Sequence, residues 1–408
     1  MQRRQPSTAT VYLFFRAASA LSFGLMTTTN VVYQFEVAHI DPFGLLLIGA
    51  ALELTCLVVQ VPTGLLADSY SRKRAVVAGT LLVGAGFLLE GLVPSFWAIV
   101  AAQVVWGAGA SLADGADDAW LSEEAGSAEA SRLFLRAAQV TAPAGFVGIV
   151  AGVSLATVRL SLPIVIGGCL TVLIGVLLGF LMLERNFRPA RPELGRLPAM
   201  AHAARDAVAL IRSRPVLLSI LVVTLTTAAW SEGFDRLWQV HLLHDVGLPH
   251  IAGVSPLLWY GFAMAGSIGI GIAVTGIALR RLDLGNRSVV LRTLVVSTAA
   301  LAGATAVFAL APGLPFAIVA YWVVRNASRI WEPVQRAWLN TNLEPATRAT
   351  LFSIDGQANA LGQVVAGPLL GLLARASIPA ALLAAALLLL PALAIFGTVG
   401  SRNEVPMG

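Results

Sequence analysis

The sequence predicts an all-α membrane protein of twelve transmembrane helices in two six-helix bundles, and three observations carry that prediction. The 408-residue chain is 57% hydrophobic and only 12% charged, with a mean hydropathy of +0.80. A soluble domain cannot hide that much apolar surface, whereas a helix of about 20 apolar residues crosses a bilayer. The apolar runs show no sustained alternation of the kind barrel strands carry, so inside lipid their backbone groups are satisfied only as helices. Finally, one long polar segment, residues 184–215, separates six runs from six.

In order, the runs cover residues 10–36, 43–68, 74–94, 96–122, 131–157, 161–183, 215–242, 254–280, 288–310, 314–340, 348–374 and 377–399. The first is the least apolar, holding Arg16, Thr27, Thr28, Thr29, Asn30 and Gln34. It is longer than a signal-peptide core and no cleavage site follows, so it is expected to stay in the membrane. The second is interrupted only by Glu53, Gln60 and a few small polar residues before it stops at Asp68 and the cations Arg72, Lys73 and Arg74. Between spans 6 and 7 three prolines, Pro189, Pro192 and Pro198, break continuity, and residues 199–213 then read as an amphipathic helix on the membrane surface. The expected domains are therefore residues 1–184, a linker at 185–214, and 215–408.

The net charge of +5 is distributed by connection rather than gathered on a soluble face, which argues against a nucleic-acid partner. Cations precede span 1 and follow spans 2, 4, 6 and 8, while the connections after spans 1, 3, 7 and 9 hold no Lys or Arg. Arg159 and Arg375 are the outer exceptions. This asymmetry places the even-numbered connections and both termini in the cytoplasm, with the protein multi-pass in the cytoplasmic membrane. Cys56 and Cys169 lie on different apolar spans and read as small buried core residues rather than a disulfide. His241, His244 and His250 read as solvated histidines of an outer loop, without the thiolates or regular spacing a zinc site would bring.

Residues 62–74, PTGLLADSYSRKR, resemble the signature Gly-x-Leu-Ala-Asp-Arg-x-Gly-Arg-Lys that Major Facilitator transporters carry between helices 2 and 3. Gly64, Leu66, Ala67, Asp68, Arg72 and Lys73 match, whereas Ser69 and Ser71 replace the usual Arg and Gly. The resemblance implies two bundles rocking about a central cavity lined by helices 1, 4, 7 and 10. It also implies a cytoplasmic gate of Gly64, Asp68, Arg72 and Lys73, with Gly64 allowing close helix packing and Asp68 meeting the positive end of helix 11. Asp355, near the start of span 11, joins that gate as an expectation. Residues 362–371, GQVVAGPLLG, look like the Gly-Pro-x-x-Gly pattern that antiporter members carry in helix 5, although here it falls in helix 11.

Charges inside a bilayer are costly and face cavities or partners. Span 2 carries Glu53; span 4 carries Asp114, Asp117 and Asp118; span 7 carries Glu232, Asp235 and Arg236; span 10 carries Arg325, Arg329, Glu332 and Arg336. Glu232 and Arg236 stand at i,i+4, the spacing of a helical ion pair. Asn30, Gln34, Glu232, Asp235, Arg236, Arg325 and Arg329 are the expected cavity residues. Asp117 and Asp118 read as gate residues paired to Arg132, Arg136 or Arg329. A carboxyl withdrawn from water holds its proton more readily, the property a reversible carrier needs, so Glu53 and Asp114 are the proton-coupling candidates. Trp230 and Trp331 lie beside the charged stripes and are expected chiefly to pack.

The function these features support is secondary active transport of a small amphipathic molecule, coupled to protons and closest in appearance to the drug-efflux branch of the family. An organic-anion carrier using Arg325 and Arg329 is the alternative, followed by a non-transporting membrane receptor. No phosphate loop, metal cluster or nucleophilic triad marks an enzyme, and no cofactor is expected. The expected partners are the small-molecule substrate, protons and membrane lipid, with the fold complete in a monomer.

Overall fold

Every one of the twelve apolar runs falls on helix, and three of them are broken where side chains or backbone conformation compete with the helical ladder. The computed structural model describes residues 6–187, 215–249, 255–342 and 348–401, with no strand among them. Span 1 is α1 (Thr8–Thr27) and α2 (Asn30–Glu36). Between them Thr28 returns its hydroxyl to the Gly24 carbonyl and Thr29 leaves the helical region. Span 2 is α3 (Pro42–Tyr70) and span 3 is α4 (Arg72–Leu92). Span 4 is α5 (Phe96–Ala113) and α6 (Ala116–Ala125), parted by an extended Asp114 and by Gly115 at φ 74°, which favours glycine. Spans 5 and 6 are α7 (Ser127–Ala156) and α8 (Leu162–Leu181).

In the second half, α9 (Pro215–His241) runs into one π-helical turn, Leu242–Val246. It is followed by α10 (Leu258–Arg281), α11 (Arg287–Ala309), α12 (Leu314–Asn342) and α13 (Arg348–Ala376). The last run divides into α14 (Ile378–Leu387) and α15 (Leu390–Ser401). Among the described residues ten stretches are long and apolar enough to cross a membrane. The two spans that fall short of that apolarity are α12 and α13. They carry Arg325, Arg329, Glu332, Arg336, Asp355, Asn359 and Gln363, so the polar exceptions are concentrated on two helices. The amphipathic helix expected at residues 199–213 lies outside the described residues.

Two compact units emerge: Met1–Ile40, Ala51–Glu193 and His250–Gly261 in the first, Asp41–Ala50, Leu194–Pro249 and Phe262–Gly408 in the second. In the first, α1 packs on α7 and α8, and α4 on α5 and α8. A Cβ added at Gly109 would stand 2.7 Å from the Gly79 carbonyl oxygen, so α4 and α5 approach backbone to backbone, the small-residue contact by which helices associate in lipid. Tyr12, Val76, Trp120, Leu121, Leu133 and Leu178 form a core at one end of this unit. In the second, α9 packs on α13 and α11 on α12, around Val223, Leu294, Trp338 and Phe396. Large apolar side chains such as Trp97, Phe180, Val296 and Phe316 point outward, a surface that water would penalise and lipid solvates.

Two expectations about small clusters are corrected. Cys169 is exposed and Cys56 half-buried, so neither is a core thiol; on apolar helices a thiol tolerates the lipid-facing side as well as the interior. His241 is not a solvated loop residue. It is buried at the end of α9, with Nε2 donating to the Phe308 carbonyl at 3.0 Å and Nδ1 2.9 Å from Asp245. The π turn brings Asp245 within reach one turn on. His244 is exposed as expected, and His250 lies outside the described residues.

Candidate functional site

On one side of α9, Thr224, Thr227 and Ser231 recur at helical spacing, and they face Ser328, Glu332, Gln335 and Arg336 of α12 and Asp355 and Asn359 of α13. Together with Trp230, Trp331 and Phe352 these residues line a cavity of about 570 Å³ inside the second unit. Its polarity follows from the sequence: the least apolar spans supply two of its walls. Thr224 donates its hydroxyl to Asp355. Arg336 is the cation whose field reaches that carboxylate. The two indoles are fixed from behind, Trp230 Nε1 donating to Thr305 at 3.0 Å and Trp331 Nε1 to Thr298 at 3.1 Å, both threonines on α11. Tethered rings keep their faces in place at little entropic cost. The cavity thus offers two carboxylates, one guanidinium, several hydroxyls and amides, and aromatic walls.

The residues expected in the cavity mostly lie elsewhere. Glu232 is buried and pairs with Arg236 at 3.2 Å, the i,i+4 contact that the spacing predicts. Asp235 instead reaches Arg325 of α12 at 2.7 Å. The Arg325 guanidinium carbon also lies 5.3–5.9 Å from the ring centroids of Phe234, Trp238 and Tyr321, a cation in an aromatic cage. Arg329 turns away to the Ser267 carbonyl and to Asn326, next to Gly271 of α10. None of these five lines the 570 Å³ space. Trp230 and Trp331, expected chiefly to pack, do line it. Helical stripes report which residues share a face but not which side chain a neighbouring helix captures.

In the first unit the acids also sort differently from expectation. Asp117 is buried and pairs with Arg16 of α1 at 3.0 Å, while Asp118 accepts from Tyr12 at 2.8 Å. Neither pairs with Arg132, Arg136 or Arg329. Asp114 is exposed at the α5–α6 break and Glu53 is half-buried, so a carboxyl fully withdrawn from water describes neither. It describes Glu90, 1% exposed, which the sequence analysis did not single out. Gln34 does not face a cavity: it donates to Glu90 at 2.6 Å. Asn30 is buried at the start of α2. A second Gln thirteen residues after Glu90, in the next span, was the available signal.

At the end of α3, Asp68 is half-exposed and lies 3.5 Å from Arg72, which reaches Glu123 at 3.2 Å. No atom lies within 4 Å of where a Gly64 Cβ would stand, so the close packing expected of it is not made among the described residues. Ser71, where the signature has glycine, is extended at φ −178° and caps α4: it accepts from the Arg74 N–H at 3.0 Å and donates to Glu184 at 2.5 Å. Glu184 also accepts the Lys73 N–H at 3.1 Å, so a carboxylate sits against the positive end of α4. Sequence reading missed Glu184 because it follows the sixth span. Asp355, expected at the gate from its position near the start of span 11, lines the cavity.

Comparisons with known proteins agree with this architecture. The chain is 22% identical over 372 residues to the uncharacterised MFS-type transporter YxaM of Bacillus subtilis (strain 168), covering 90% of this chain and 89% of the relative. It shares its fold with the nucleoside transporter NupG at TM-score 0.78 and 14% identity, over 98% of this chain and 100% of that one. A bacterial homologue of the lysosomal transporter Spinster aligns at TM-score 0.72 and 16% identity, over 98% of both chains. The profile of the Major Facilitator Superfamily matches residues 11–324. With the helical order, the gate signature and that match in agreement, the chain belongs to the Major Facilitator Superfamily and is an integral membrane transporter.

Proposed function

We propose that the protein exports small cationic or zwitterionic amphipaths from the cytoplasm, in exchange for protons, by alternating access. The observation that carries this reading is the lining of the 570 Å³ cavity: Glu332 and Asp355 outnumber Arg336, and Trp230 and Trp331 present fixed aromatic faces. Acids supply Coulombic attraction and indoles supply cation–π attraction, which together suit an organic cation. In this reading the protein lies in the inner membrane as a monomer with both termini cytoplasmic, as its loop charges favour. Protonation of an acid favours release of the compound, and one charge crossing supplies about 2.3 kcal/mol per 100 mV. The organic-anion alternative is less favoured, because Arg325 is engaged with Asp235 and its aromatic cage and Arg329 with Ser267.

The test is equilibrium binding to purified protein, read from tryptophan fluorescence, with an aromatic organic cation and an organic anion of matched size. Saturable binding of the cation, weakened roughly tenfold or more by Asp355→Asn or Glu332→Gln, a loss of about 1.4 kcal/mol, is expected. Preferential binding of the anion, lost in Arg325→Gln, would replace this reading with the anion carrier.

A further inference from the structure

A second polar centre lies in the first unit, away from the cavity, around Glu90 near the end of α4. Its carboxylate is 1% exposed and is held from two sides: Gln34 Nε2 of α2 donates to Oε1 at 2.6 Å and Gln103 Nε2 of α5 to Oε2 at 3.0 Å. Tyr33 donates its hydroxyl to the Glu90 backbone carbonyl at 2.8 Å, closing the cluster. Both glutamines are fully buried, yet Gln34 Oε1 and Gln103 Oε1 accept no hydrogen bond from the described residues. Buried acceptors are seldom left idle, and two on the same carboxylate call for a reason.

Glu90 supplies one if it changes protonation state. As a carboxylate it accepts only, and it uses the N–H group of each amide. As a carboxylic acid it becomes a donor on one oxygen and needs an acceptor there. Half a turn about the last torsion of either glutamine replaces its Nε2 with the idle Oε1, while the other glutamine continues to donate to the second carboxyl oxygen. The pair of amides can therefore satisfy both forms without moving a helix.

Tyr33 is the titratable side chain in the cluster, and Arg159, from the connection after α7, is the cation whose field reaches it. Glu36, on the same short helix, acts on Tyr260. From α8, Ile164 and Val165 stand against the adjacent Gly91. We infer that Glu90, with Gln34 and Gln103 as interchangeable donors and acceptors, is a reversible proton-binding site. One hydronium ion of the aqueous phase gives its proton to a carboxylate oxygen and becomes water, and the proton returns to water when the amide turns back. The use of this proton in transport rests on the proton-coupled reading above, but its binding does not.

The test is infrared difference spectroscopy of the full-length protein in lipid, titrated across the physiological pH range with no transported compound present. A carboxylic-acid C=O band that grows as pH falls and is lost in Glu90→Gln is expected. Gln34→Met, which keeps Glu90, should retain that band at a shifted frequency, because one of the two hydrogen-bonding amides is gone. This second variant covers the case in which Glu90→Gln does not fold. Absence of any Glu90-dependent, pH-sensitive C=O band, or a band unmoved by Gln34→Met, would overturn the proposal. If the band titrates but no compound drives proton movement in vesicles, the site stands and the coupled-transport reading fails.

Discussion

Glu232 and Arg236 illustrate how strictly the interior of this protein treats single side chains. Both are largely buried, one helical turn apart, and their pairing offsets charges that lipid would otherwise penalise. Gly49 of α3 lies directly against them: a Cβ there would meet the Glu232 carboxylate and come within 2.6 Å of Arg236 Nε. Gly49→Ala should therefore displace the pair and cost about 1–3 kcal/mol. Thermal unfolding in detergent would read that loss, and an unchanged midpoint would show that the carboxylate has room to move. Arg236→Gln should cost more, about 3 kcal/mol, because it removes the guanidinium paired with the buried Glu232 carboxylate, and adding Glu232→Gln should recover much of the loss. The i,i+4 pair was legible from sequence alone, since it needs only one helix. The Arg325–Asp235 bridge was not, because it joins two helices whose facing register no spacing rule gives.

Among the elements, α4 owes its start to a departure from the family signature. Glycine at position 71 would offer no side chain, whereas Ser71 satisfies the Arg74 N–H and links to Glu184 after α8. Ser71→Ala should destabilise the first unit by about 1 kcal/mol or somewhat more, as loss of an N-cap and a charged hydrogen bond predicts. Comparison of its unfolding with that of Glu184→Gln would check whether the two residues act as one unit; fully additive losses would argue against it. The long apolar helices were plain in the sequence because hydropathy and length fix them. The break at Asp114–Gly115 was hidden because the span was read as one continuous helix through its acids Asp114, Asp117 and Asp118, whereas Asp114 is extended and Gly115 takes a positive φ. The same continuity concealed Glu90, a lone acid near the end of a run, where a polar residue ordinarily marks the membrane surface.

At the scale of the whole molecule, each of the two units carries its own core, and the proposed alternating access calls for two such bodies. Family and fold were legible from six matched signature residues and the division of the spans, but the site was legible only in part. Polar stripes pointed to spans 1, 4, 7 and 10; of these, spans 7 and 10 wall the cavity, together with α13, whose Asp355 and Asn359 stand one turn apart. Which members of each stripe face the cavity depends on ion pairs between helices. The proposed coupling of an organic cation to protons makes Asp355, in the cavity wall, a required acid. The most direct measurement is internal pH in proteoliposomes holding the full-length protein under an imposed pH gradient, with cationic, neutral and anionic compounds added singly. A proton flux evoked by cationic amphipaths and reduced at least roughly tenfold in Asp355→Asn is the predicted result. Accumulation of labelled organic anions without proton movement, dependent on Arg325, would contradict it.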